Sequence, residues 1–247
     1  MILSCKNRYD IFSYLDEIGL RERIFIDKSV LIKINLARPA VHGHPRTDTE
    51  LLSAVIQYIY SNGGTCAIAE SANGYLRENL KHEGLEDIIC KYDVNVIDLD
   101  YEEVEQLSIN GEDHYLPRCL KKYGVRIGIP ATSKRPEMIF SNNVKLFVGA
   151  VPRRMYQLDN KIVDWRPRVH IDLHYSVANI FCAIQAYSPF CFFINGGLAT
   201  DEYKGDFIFN EILLSNDGLE LDLYVLKNYY DYLEIPEYLD RLQKCLP

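Results

Sequence analysis

Apolar residues in "YDIFSYLDEIGL" recur at helical spacing, and the Val-, Ile- and Leu-rich run "SVLIKINL" follows, which predicts a helix and then a strand. Downstream, Thr47 and Glu50 in "TDTE" have the spacing of a capping box. They would open a helix whose inner stripe is Leu51, Leu52, Val55, Ile56 and Ile59, and "NGG" at 62–64 would stop it. "TCAIAES" then reads as a second buried strand. Strand, helix and strand within about forty residues is the spacing of a βαβ crossover between parallel strands.

The pattern continues with "NVIDLD" and "VRIGIP" as strands, and with "LSINGEDHYL" between them, where "NGED" between alternating residues suggests a small hairpin. "MIFSNNVKLFV" fits helix and strand equally well. "IDLHYSVANIFCAIQAY" is a helix, "FCFFINGG" an aromatic strand, "FIFNEILLS" a further apolar segment, and "GLELDLYVLKNYYDYL" and "PEYLDRLQKCL" two closing helices. The expected fold class is α/β, with a mainly parallel sheet, βαβ crossovers and a ligand cleft at the carboxyl edge of the strands. No internal repeat and no linker divides the chain, so residues 1–247 are expected to form a single domain.

Composition narrows the function. The chain has 247 residues, 48% of them hydrophobic and 25% charged, enough for one large core. A net charge of −8 is the wrong sign for a broad nucleic-acid footprint. The opening residues lack a secretory apolar core, and no run approaches the roughly 18 apolar residues of a spanning helix, so a cytoplasmic protein without a membrane partner is expected. Seven cysteines without a CxxC pair suit reduced thiols in place of a disulfide framework or a cluster.

The familiar signatures are missing: no GxGxxG, Walker loop, HExxH or GxSxG occurs. What stands out is the loop from Asn35 to Arg46, which carries Arg38, His42 and His44 just beyond a parallel strand, where open α/β sheets hold their ligands. Glu70 and Ser71 end the next strand on the same edge. "HGH" at 42–44 lacks the further convergent ligands of a metal site, so no metal is expected there. Arg38, Arg46, Lys134, Lys145, Arg153, Arg154 and Arg168 follow strands or flank Gly and Pro. If several converge they would hold carboxylate or phosphate oxygens; taken singly, each reads as an ordinary surface cation. His170, just ahead of a predicted helix, suits a base or a hydrogen-bond donor, or simply a helix-entry residue.

The order of segments resembles the family grouped as domain of unknown function 362. "VLIKINLARPAVHGHPRTDTELLSAVIQYIYSNGG" is similar to that family's strand with Lys and Asn, its polar loop and its glycine-ended helix. "IPATSKRPEMIFSNNVKLFVGAVP" resembles its stretch of Pro, Lys-Thr-His, Lys-Asn and Gly, and "SNDGLELDLYVL" its C-terminal helix entered by an Asp. The resemblance covers about residues 28–240. It implies Lys33, Asn35, Lys134, Lys145, Gly149, Pro152, His170 and Asp222 as counterparts of family positions. Departures mark a diverged member: Leu146 stands where the family usually has Asn, Arg135 and Pro136 replace Thr-His, and Asn195 replaces an Asp. Many relatives also carry a ferredoxin-like module, and nothing here resembles it. A shorter similarity links "NLARPAVHGHPRTDTELLSAVIQYIYSNGG" to the N-terminal domain of nickel-dependent lactate racemases and implies 2-hydroxy-acid chemistry.

These observations lead to an expected small anionic ligand, a carboxylate or a phosphate. Lys134, Lys145 and His170 would be the acid-base candidates. Lys33, Asn35, Arg38, His42, Arg46, Glu70, Asn195 and Asp222 would line the site. A non-catalytic binding protein that has kept the fold is the competing class, and the sequence leaves cofactor and oligomeric state open.

Overall fold

The computed structural model describes residues 1–37, 46–134, 140–158, 163–201, 205–230 and 234–245. Twelve strands occur among them: β1 (Ile2–Cys5), β2 (Ser29–Ile34), β3 (Thr65–Glu70), β4 (Asn95–Asp98), β5 (Val104–Ile109), β6 (Glu112–Pro117), β7 (Val125–Ile129), β8 (Ser133–Lys134), β9 (Phe192–Asn195), β10 (Leu198–Asp201), β11 (Phe207–Ile208) and β12 (Ile212–Ser215). The helices are α1 (Ile11–Glu17), α2 (Leu20–Ile26), α3 (Thr49–Ser61), α4 (Leu76–His82), α5 (Glu86–Tyr92), α6 (Asn143–Leu146), α7 (Leu173–Tyr187), α8 (Gly218–Tyr229) and α9 (Glu237–Cys245).

Seven strands form the main sheet in the order β1-β12-β9-β7-β2-β3-β4. β9, β7, β2, β3 and β4 run parallel, and β12 and then β1 extend the sheet as an antiparallel pair. The chain thus has the predicted α/β class, with a mostly parallel sheet. The central strands are apolar on both sides because helices cover both faces. Ile32, Ile34 and Ile68 pack with α1 to α5, while Leu31, Ala67 and Ala69 pack toward α7, α8, α9 and the β5–β6 hairpin.

The hairpin turns where the sequence places it, with Asn110 at φ 53° and Gly111 at φ 78°, the two left-handed residues that a two-residue turn needs. The ambiguous stretch around Lys145 resolves into the short helix α6. One sequence expectation is corrected: the N-cap of α3 is Asp48, whose carboxylate accepts from Leu51 N at 2.8 Å. The Thr47 hydroxyl is engaged elsewhere, accepting from Asn35 N at 2.8 Å and donating to the Ile129 carbonyl at 2.6 Å. It therefore ties the ends of β2 and β7 together. These neighbours are also where the strand order reverses, since the chain leaves β2 toward β3 and β4 and returns on its other side as β7. Among the described residues no helix is long and apolar enough to cross a membrane.

Candidate functional site

Charged side chains are concentrated beneath the carboxyl ends of β2, β3 and β4. Lys33, the last but one residue of β2, is 0% exposed, and its ammonium lies 3.0 Å from the Glu70 carboxylate at the end of β3 and donates to the Ile34 carbonyl at 2.6 Å. Glu70 also accepts from Ser71 N at 2.7 Å and Leu36 N at 3.2 Å. Gly149 closes over this pair: a Cβ there would lie 2.6 Å from Glu70 Oε1 and 2.9 Å from Lys33 Nζ. Glycine is what lets the backbone pass this close, and Ser71 N donates in addition to the Gly149 carbonyl at 3.2 Å.

Burial pushes the Lys33 pKa down and the Glu70 pKa up, each opposed by the charge of the other. Moving one proton from Lys33 to Glu70 would convert the ion pair into a neutral pair with no change in net charge.

The network continues outward through Ser71. Its hydroxyl donates to Asp100 at 2.5 Å and accepts from Arg166 at 2.5 Å, and Arg166 also spans to the Val151 carbonyl at 2.9 and 2.7 Å. Burial lowers the Arg166 pKa to about 10, which leaves it protonated at neutral pH. For Asp100 burial works to raise the pKa, but the hydrogen bonds from Arg153 N and Ser71 Oγ and the charges of Arg153 and Arg166 outweigh it, and the carboxylate titrates below its ordinary value. Arg153 donates to the Ser71 carbonyl at 2.7 Å and to Asp164 at 2.8 Å. Arg154 reaches the carbonyls of Asp100 and Glu102. Above this layer opens a cleft of about 580 Å3 lined by Asn73, Asp100, Tyr101, Arg153, Arg154 and Asp164.

A second polar network lies on the other side of the reversal point. Asp222 of α8 is fully buried and accepts from Asn143 N at 2.9 Å, Asn143 Nδ2 at 2.9 Å and Val144 N at 3.0 Å, so it caps the start of α6. Asn143 Nδ2 also donates to Asn195 Oδ1 at 2.8 Å, and Asn195 donates to Asn142 and to Thr132. Burial raises the Asp222 pKa to about 7 against those donors. The sign follows from proton counting: between the unfolded value of 3.8 and about 7 the folded chain holds more protons, so the stability from this group is complete below about pH 4, falls on the order of 4 kcal/mol as pH rises, and levels off above 7. Urea unfolding of wild type and Asp222→Asn from pH 4 to 8 should show this slope in their difference; a flat difference would mean that Asp222 is ionised throughout.

The residues singled out by sequence thus fall in several places. Lys33 and Glu70 are in contact, and Asn195 and Asp222 meet through Asn143. Asn35 is half-buried and holds Thr47 by its backbone. Arg46 pairs with Glu83 at 2.8 Å. Lys134 ends β8 in register with Asp201 of β10, and Lys145 lies in the last turn of α6; both are half-buried. His170 is exposed, edge-on to Trp165, with Nδ1 2.8 Å from the Arg166 carbonyl, two residues before the Asp172 cap of α7. Arg38, His42, His44 and Arg135 lie outside the described residues. Sequence reasoning named Arg153 only among many cations and did not carry Ser71, Asp100, Arg166 or Asn143 into the site. Asp100 was findable, since it follows β4 on the same edge as Glu70; Arg166 lies in the Arg-rich stretch 151–170, which reads equally as an ordered functional loop or a surface excursion, so nothing set it apart from the arginines around it. Among the described residues no group of three or more His, Cys, Asp or Glu is arranged to hold a metal.

One family model matches the chain, over residues 30–227, and its description is Domain of unknown function (DUF362). No curated protein matches it.

Proposed function

The chain belongs to that family, and from this premise we propose that it binds a small carboxylate or phosphate in the cleft over Asp100, Arg153 and Arg154, as an enzyme whose cleft floor is positioned and charged by the buried Lys33–Glu70 pair. One observation carries the reading. Arg153 is held from below by Asp100 and the Ser71 carbonyl, while its outward nitrogen donates to the carboxylate of Asp164, which also accepts from Asn73 Nδ2 at 3.4 Å and whose side chain is 61% exposed. Asp164 is the chain's own anion in the position that a ligand's anion would take. A planar guanidinium locked at its base and offering its outer edge suits carboxylate or phosphate oxygens. Lys33 and Glu70 reach the cleft through Ser71 and Asp100. The link between Glu70 and Ser71 is a backbone N–H, so it transmits position and charge and does not conduct a proton.

The experiment is calorimetric titration with inorganic phosphate and with a set of small carboxylates. Asp164→Asn removes the competing anion and should tighten binding about tenfold, whereas Arg154→Met removes a cation from the rim and should weaken it by a similar factor. Absence of binding by every probe, or affinities that ignore Asp164→Asn, would overturn the assignment.

A further inference from the structure

A second cavity, of about 340 Å3, lies between the β5–β6 hairpin, α7 and the 3-10 helical turns at Arg153–Tyr156 and Pro167–His170. It shares no lining residue with the cleft just described. Its polar groups come from four separate elements. Glu112 and His114 stand two residues apart and so on the same face of β6, and Ser176 on α7 projects beside them one turn before Ile180. Tyr156, Arg168 and Asp113, whose carboxylate already accepts from the Ser108 hydroxyl at 2.5 Å, complete its polar wall.

His114 is the anomaly here. It is only 3% exposed, yet neither Nδ1 nor Nε2 has a hydrogen-bond partner among the described residues. Buried polar groups are almost always satisfied, and two orphan ring nitrogens on a cavity wall imply a partner that the described residues do not supply. Burial also lowers the His114 pKa, against the pull of Glu112 and Asp113, so the ring is neutral and offers one donor and one acceptor. Tyr156 accepts from Tyr115 N at 3.3 Å, which leaves its own hydroxyl proton to donate. Glu112 is steadied by Asn179 of α7 at 3.2 Å, and Arg168 is exposed at the wall.

We propose that this cavity is a binding site for a small zwitterion bearing both a carboxylate and an ammonium group, of which an α-amino acid is the simplest form. Its carboxylate meets Arg168 and the Tyr156 hydroxyl, its ammonium meets Glu112, and the remaining polar atoms satisfy His114. The presence of both charge signs around one neutral imidazole is what selects a zwitterion over a simple anion, which Glu112 would repel.

The test is calorimetric titration with each of the twenty standard amino acids, with acetate and methylammonium as singly charged controls. At least one amino acid should bind saturably and about tenfold or more tighter than either control. Arg168→Met, at an exposed position, should weaken it about tenfold without moving the melting temperature, and His114→Phe, which keeps a ring and removes both nitrogens, should do likewise. Asp164→Asn, which acts on the other cleft, should leave it unchanged. No saturable binding at millimolar concentration would mean that the cavity holds only water, and binding indifferent to both Arg168→Met and His114→Phe would put the ligand elsewhere; either result overturns the proposal.

Discussion

Lys33→Met should destabilise the protein by about 3 to 5 kcal/mol, because it strands the Glu70 carboxylate, buried away from solvent, without the ammonium that opposes its charge. Glu70→Leu should cost a similar amount for the mirror reason, and it additionally leaves Ser71 N and Leu36 N without their side-chain acceptor. Lys33→Met/Glu70→Leu should be less destabilised than the two single costs added together, by about 2 kcal/mol or more, since neither charge is then left alone. Urea unfolding of the four proteins at neutral pH gives the coupling directly. Strict additivity would show that Lys33 and Glu70 do not act as a pair.

The second large effect is expected at Asp222→Ala. Three N–H groups, from Asn143 N, Asn143 Nδ2 and Val144 N, converge on this one buried carboxyl, and two of them are the unsatisfied donors at the start of α6. Alanine leaves all three without it and adds a cavity, at a cost of about 3 to 5 kcal/mol by chemical unfolding. Asp222 lies on α8 and its donors on α6, so amide exchange should also quicken in Asn143 and Val144 more than in the sheet. A loss below 1 kcal/mol would show that water readily replaces the carboxyl and that Asp222 does not organise α6.

How legible this was depended on how local each feature is. β2, α3 and β3 follow from periodicity within one stretch of chain, and so does the turn at Asn110 and Gly111. β1 does not: four residues carry little pattern, and its partner β12 lies more than 200 residues away, so the antiparallel extension of the sheet is set only by tertiary pairing. Thr47 and Asp48 are both good N-caps, and the choice between them depends on Asn35 N and the Ile129 carbonyl, which the Thr47 hydroxyl already serves. In the site, Glu70 stood out because a polar residue ended an apolar strand, whereas Lys33 was marked by the family resemblance. Arg166 reaches Ser71 across 95 positions of sequence from a 3-10 turn, and its importance arises from burial, a property that no spacing rule displays. His114 was invisible for a related reason: one histidine on an alternating strand is unremarkable until both of its nitrogens prove to be orphaned.

The most direct measurement for the cleft is a crystal structure of the protein soaked with whichever phosphate or carboxylate probe binds most tightly in titration. The anion should lie within hydrogen-bond distance of the outward edge of Arg153, with the Asp164 carboxylate turned away from its present 2.8 Å contact and the Asp100, Ser71 and Arg166 contacts intact. Density for the anion at another surface, with Asp164 still seated on Arg153, would contradict it.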